Sequence, residues 1–234
     1  MKKKLLLLAL FFLWEVPVSE MLSEVSGIDS FASGGEAFAQ YVDTTWVRRY
    51  NGPGNSTDEA RSIAVDDSGN AYITGNSMGS GSVRDYATIK YYPNGDTAWV
   101  SRFNGSDNYY DAAYAVAVDN SINIYVTGWS WNGLPSSGSD YVTIKYNPDG
   151  DTVWVRTFQE GMALALAVDS SGNSYVTGLH EGTPLYNHEY VTIKYYPNGG
   201  TAWYRTYNGS GDTSDIGRAI SVDGSGNVYV TGYS

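Results

Sequence analysis

The sequence contains no cysteine. That absence removes a disulfide framework, a thiolate zinc site, a cysteine nucleophile and lipid attachment through sulfur. Histidine is nearly absent too, with His180 and His188 the only two in 234 residues. Basic residues are outnumbered, 14 Lys and Arg against 25 Asp and Glu, for a net charge of -11. An acidic chain without a basic stripe is not built for nucleic acid or for an anionic membrane surface. No glycine-rich phosphate loop is present, since the glycines fall singly in turn settings and never open a helix after a strand. Nor is any apolar run long enough to span a bilayer: Leu5 to Trp14 is ten residues. That run follows Lys2, Lys3 and Lys4, the charged-then-apolar order of a secretory signal. Residues 1–39 are therefore expected to be a signal peptide and linker. Ala37-Phe38-Ala39 before Gln40 fits the small-x-small cleavage pattern, and Val25-Ser26-Gly27 lies nearer the apolar run. The expected location is secreted or at the cell surface, periplasm included, with no membrane insertion once the signal is removed.

What the chain has in quantity is aromatic residues and glycine: 21 Tyr, 7 Trp and 27 Gly. Many short strands joined by tight turns give that composition. The residues are arranged in repeats. The stretch Asp140 to Arg156, DYVTIKYNPDGDTVWVR, has close copies at Asp85 to Arg102 and Glu189 to Arg205. Each copy is two runs of β-branched and aromatic residues around a Pro-Asn/Asp-Gly corner, the signature of a hairpin. A second motif, SIAVDDSGNAYITG from Ser62 to Gly75, returns at Val116 to Gly128, Leu166 to Gly178 and Ile220 to Gly232. Its Asp falls at 66, 119, 169 and 223. Spacings of 53, 50 and 54 residues, each holding four strand-like runs, predict the blades of a β-propeller. In chain order the runs are A (IAVD), B (AYITG), C (DYATIKYY) and D (TAWVSRF). Strand A is expected to set Ala113, Ala115 and Ala117 on one face against Tyr114, Val116 and Val118 on the other, as suits an innermost strand. Trp99, Trp154 and Trp203 in D suit the wider outer gap, as does Trp46 in a lone D-type run.

The pattern AVDxSGNxYVTG, then DYVTIKYNPDG, then Trp-Val-Arg resembles the SBBP repeat, a family of secreted and surface proteins with seven-bladed β-propellers, similar in style to NHL and YVTN repeats. The resemblance covers Tyr41 to Ser234, and the expectation of seven blades comes from it alone. One copy departs, with Ile122 where the others have Gly69, Gly172 and Gly226. A β-branched residue is costly at positive φ, so this turn is expected to differ or to move its strained position to Asn123.

Counting runs gives an orphan D strand at about 44–50, blades at about 60–103, 113–157 and 163–207, and a partial blade at about 217–232, within a repeat domain of residues 40–234. The expected fold is all-β: nearly four blades of four antiparallel strands. Seven such blades would need roughly 360 residues. An open arc or a fragment of a larger propeller is therefore expected, with further blades or other subunits needed to close the ring.

Strands of alternating direction put the A-to-B and C-to-D turns on one rim and the B-to-C and D-to-A connections on the other. The first rim is stereotyped. The second varies, and it carries Tyr109, Tyr110, Trp129, Trp131 and Tyr186. Variable loops on a regular scaffold are a usual place for binding, and aromatic platforms suit a glycan or an extended peptide. The sequence thus points to a non-catalytic scaffold that binds a glycan or protein ligand through this rim; loop packing is the competing account of the same rings. The alternative is a propeller enzyme, of lyase or glycosidase type, whose active site is incomplete in this chain. It has no unrepeated carboxylate pair, nucleophile with base or cofactor signature behind it.

No cofactor is expected. Asp66, Asp169 and Asp223, in Asp-x-Ser-Gly-Asn corners, offer oxygens that calcium prefers, yet they lack EF-hand spacing and fit an Asx-turn better. His180 and His188, each followed by Glu, match no helix-borne zinc motif. Lys90, Lys145 and Lys194, in the middle of strand C, are expected to snorkel or to pair with carboxylates. Arg102, Arg156 and Arg205 are expected to form outer-rim ion pairs.

Overall fold

A computed structural model describes residues 44–81, 83–106, 108–133, 138–181, 188–210 and 214–234. The expected signal and linker, both cleavage positions and Tyr186 lie outside the described residues. Trp46–Ser234 forms one compact unit. Among the described residues there is no helix, and the strands build four antiparallel sheets.

The first sheet is β1 (Asp58–Val65), β2 (Ala71–Met78), β3 (Arg84–Tyr91) and β4 (Thr97–Phe103). The second is β5 (Asp111–Val118), β6 (Ile124–Trp131), β7 (Ser139–Tyr146) and β8 (Thr152–Phe158). The third is β9 (Gly161–Val168), β10 (Ser174–Glu181), β11 (His188–Tyr195) and β12 (Thr201–Tyr207), and the fourth pairs β13 (Ile216–Val222) with β14 (Val228–Tyr233). Sequence neighbours are sheet neighbours throughout, so each sheet is an up-and-down propeller blade. The four blades do not close into a ring. Residues 44–50 join no ladder, because no C-type strand among the described residues lies beside them to pair with.

Strands β1, β5, β9 and β13 pack each on the next, which makes A the inner strand. Its expected alternation of faces is broken by a β-bulge. Ala113 faces Gly128 and Ala115 faces Thr127, which leaves Tyr114 extra. The same shift leaves Arg61, Leu164 and Arg218 extra in the other blades. One inserted residue changes which face follows, so Ala113, rather than Ala115 and Ala117, joins Val116 in the core between the first two blades. The Gly of each Val-Thr-Gly or Ile-Thr-Gly run permits this close approach. A Cβ on Gly75, Gly128 or Gly178 would collide with the carbonyl oxygen of Glu59, Ala112 or Met162. The Thr before that Gly is buried against a Thr of strand C, with hydroxyls 3.0 Å apart at Thr74 and Thr88 and 2.9 Å apart at Thr127 and Thr143.

The first three blades are latched to one another by one tryptophan at each junction. The Trp99 indole N–H donates to the Pro148 carbonyl of the next blade at 3.0 Å, and Trp154 does the same to Pro197 at 3.0 Å. Trp46 donates to Pro93 at 3.0 Å, so residues outside any ladder still make the D-strand contact. Lys90 and Lys145 donate to the Pro148 and Pro197 carbonyls at 3.3 and 3.2 Å. Their ammonium groups sit over the Tyr72 and Tyr125 rings at 5.4 and 5.1 Å. Of the two expected arrangements, snorkelling or a carboxylate pair, neither lysine takes the carboxylate; each uses a carbonyl lone pair and a ring face, which suit a cation held between two sheets.

The Ile122 turn corrects the sequence reading. It has the same shape as its counterparts, with Ile122 itself at φ 62° and its N–H donating to Asp119 O at 2.9 Å. Nothing shifts to Asn123. The Ile122 side chain packs against the core between the first two blades, and that contact offsets a backbone strain of about 1–2 kcal/mol.

Candidate functional site

The uniform rim is closed chemistry. Asp66 Oδ1 accepts from the Ser68 and Asn70 amides, both at 2.9 Å, while Oδ2 accepts from the Asn70 side chain at 2.7 Å and the Tyr72 hydroxyl at 2.9 Å. Asp119, Asp169 and Asp223 repeat the arrangement. Burial works to raise the Asp66 and Asp169 carboxyls, but these hydrogen bonds outweigh it and hold both below the usual value. At Asp223 the Asn227 hydrogen bonds lead in lowering it. With four donors on each, these carboxylates cap turns and leave no oxygen for a cation. His180 and His188 do not converge either. His180 pairs with Glu189 across the β10–β11 ladder, which puts His188 on the neighbouring rung and the opposite face. Among the described residues no group of three or more His, Asp or Glu is placed to hold a metal.

The variable rim is built differently. Three D-to-A connections contain Asn-Gly followed by an Asp at the head of strand A. The amides of Gly52, Gly105 and Gly209 donate to Oδ2 of Asp58, Asp111 and Asp215 at 2.9, 2.8 and 2.7 Å. The other oxygen of each Asp is buried without a hydrogen-bond partner. Each Gly lies so close to the serine ending strand B that a Cβ would collide with the Ser77, Ser130 or Ser234 hydroxyl. At Asp111, burial leads, the Ser130 hydroxyl and Gly105 amide offset it only in part, and the pKa is pushed up to about 6.

In the third blade this arrangement is gone. The connection from β8 to β9 is Gln159 and Glu160 alone, where that from β4 to β5 spans 104–110. Gly161 stands in the Asp position and faces His180, which stands in the Ser position. Glu160 takes a left-handed φ of 61°, and its amide donates to Asp140 Oδ1 at 3.0 Å. The His180 ring lies 5.9 Å from that of Phe158, so the larger side chain accompanies loss of the connection. Tyr141 also differs from its counterpart. Tyr86 donates from its hydroxyl to Val142 O at 3.3 Å. The Tyr141 ring instead lies against Gly161, its Cε2 2.7 Å from where a Cβ would stand, and its buried hydroxyl has no partner.

Two of the predicted aromatic residues, Trp129 and Trp131, stand on the face of the second blade that turns to this break. Tyr109, Tyr110 and Trp131 are 51%, 53% and 37% exposed. The Trp131 amide donates to Tyr110 O at 2.9 Å, extending the β5–β6 ladder into the connection. Trp129 is half-buried. On the β6–β7 ladder Trp131 stands opposite Ser139, and Trp129 opposite Tyr141. Opposed residues share a face, and since Tyr141 belongs to the core between the second and third blades, these four turn toward the third.

Blade geometry and corner chemistry repeat, as does the rim connection outside the third blade, and the sequence comparison accords with them. Residues 45–81 and 204–234 match the model of the SBBP beta-propeller repeat. In these two spans the chain is similar to SBBP repeats. The first matched span takes in Trp46, β1 and β2, and the second the end of β12 with β13 and β14. Both SBBP spans therefore include a D-to-A connection with its Gly–Asp contact. No curated protein matches the chain.

Among the described residues only Arg102 forms the expected rim ion pair, with Asp85 at 2.7 Å, and it also donates to the Tyr50 hydroxyl at 3.1 Å. Arg156 and Arg205 donate to the Gly199 and Tyr204 carbonyls, at 2.6 and 2.7 Å. Arg102 pairs with Ala87 whereas Arg156 pairs with Thr143, the counterpart of Thr88. That one-residue offset puts the side chains on opposite faces. Sequence reading missed Ser139, Tyr141 and His180 as members of a shared site. The signal that could have found them is the shortened connection before Gly161.

Proposed function

We propose that this protein is a secreted or cell-surface scaffold, non-catalytic, that binds a glycan or a protein ligand through the rim of B-to-C and D-to-A connections. One observation carries the reading: three large aromatic side chains, Tyr109, Tyr110 and Trp131, are exposed on the variable rim, and a backbone hydrogen bond that extends the β5–β6 ladder joins Tyr110 to Trp131. Rigid aromatic surface gives contact area at low entropic cost, which is how binding surfaces are commonly built. The opposite rim, by contrast, uses its polar groups within its own turns. The charged-then-apolar start of the chain supports export.

The test compares the exported full-length protein with a Tyr109→Ala/Tyr110→Ala/Trp131→Ala variant on immobilised glycans and on envelope-protein fractions. The wild type should be retained and the variant at least about tenfold less, with unchanged circular dichroism. Equal retention of both proteins, or recovery of the wild type only from the cytoplasm, would count against the reading.

A further inference from the structure

Three buried polar atoms without partners lie together on one face of the second blade: Trp129 Nε1, Ser139 Oγ and Tyr141 Oη. Ser139 and Tyr141 are 1% and 0% exposed. An unpaired buried polar group is costly and uncommon in a folded protein, and a cluster of three calls for a cause. The cluster faces the third blade's break in the repeat. There the Asp is Gly161, the Ser is His180, and the connection is cut to Gln159–Glu160. Tyr141 leans into the room left beside Gly161, which separates its hydroxyl from the carbonyl partner that Tyr86 keeps. Beyond the cluster on the same face stands the partly exposed Trp131 ring.

We infer that the rim between the second and third blades is a subsite for a neutral sugar ring. The ring stacks on Trp131, and a shift of the side chains that cover the cluster uncovers these buried atoms, so that the sugar hydroxyls supply partners for Tyr141, Ser139 and the Trp129 indole. A pyranose fits because it offers both an apolar face for an aromatic platform and several hydroxyls that donate and accept. No charged ligand is required, since none of the three unpaired groups carries a charge. This subsite rests on the proposed rim-binding function and names its ligand class.

The experiment titrates the full-length protein, 15N-labelled at its Trp indoles, with uncharged gluco-, manno- and galacto-oligosaccharides, and in parallel with a library of neutral peptides. At least one oligosaccharide should shift the Trp129 and Trp131 indole N–H signals saturably. Tyr141→Phe, which deletes only the unpaired hydroxyl, should weaken that binding about tenfold while leaving the melting temperature equal or higher. If Tyr141→Phe raises stability but binding is unchanged, the unpaired hydroxyl is a packing defect and the subsite is refuted. If peptides bind, or sugars bind without moving the Trp129 signal, the subsite fails while rim binding stands. If no probe of either class perturbs any rim residue, both fail together.

Discussion

Burial disfavours the charged form of a carboxylate, and Asp111 is the rim carboxyl most affected. Burial lifts its pKa from the usual carboxylate value to about 6, so the folded protein holds a proton that the unfolded chain has lost. The favourable contribution is therefore fully present below about pH 4 and is lost as pH rises through about 6. The corner residues Asp66, Asp169 and Asp223 run the other way: their lowered values give stability above the usual carboxylate range that is lost on acidification. Asp111→Asn keeps an acceptor for the Gly105 amide and removes the charge. It should stabilise the protein at pH 7.5 by roughly 1–3 kcal/mol, and the gain over wild type should shrink toward zero at pH 4. Urea titrations of both proteins across that range measure it; a gain that does not change with pH would contradict the assignment.

At the level of the strand, the inner bulge depends on a residue in its partner. Gly128 faces the bulge so closely that Gly128→Ala should cost at least about 3 kcal/mol or prevent folding. Ala at the bulged Tyr114 should cost far less, since only side-chain packing changes; denaturation midpoints of the two variants decide the order. The bulge also marks where reading the sequence succeeded and failed. The strands were legible because alternating apolar residues and Pro-Asn/Asp-Gly corners act within a few residues of each other. The inner-strand phase was not, because nothing in the run Ala112 to Val118 itself signals an insertion. The constraint sits in the Gly of Val-Thr-Gly, a residue of the next strand that reads equally well as a turn marker. The rim aromatics were legible by their departure from the repeat. The partners Ser139, Tyr141 and His180 were not, since each looks ordinary in its own strand and gains meaning only through residues missing before Gly161.

Across the whole molecule the blades communicate through nearest neighbours. The first–second and second–third junctions each have a latch and a core of their own, so the contribution of one to stability is separable from that of the other. Trp99→Phe and Trp154→Phe each delete an indole N–H bond to a corner carbonyl and should cost about 1–2 kcal/mol. Because the two latches share no hydrogen-bond partner, the double variant should equal the sum within about 0.5 kcal/mol. Chemical denaturation of the four proteins gives that cycle, and a coupling well above this margin would mean that the blades do not act as independent neighbours.

The latches also impose a timetable. Trp46, Trp99 and Trp154 each bond to a carbonyl that lies 47, 49 and 43 residues later in the chain. During synthesis at ~5–20 residues per second, each indole therefore waits roughly 2–10 s for its acceptor to be made. A blade whose strands have already paired stays unfastened for that interval, and a ribosome paused within the following blade prolongs its exposure.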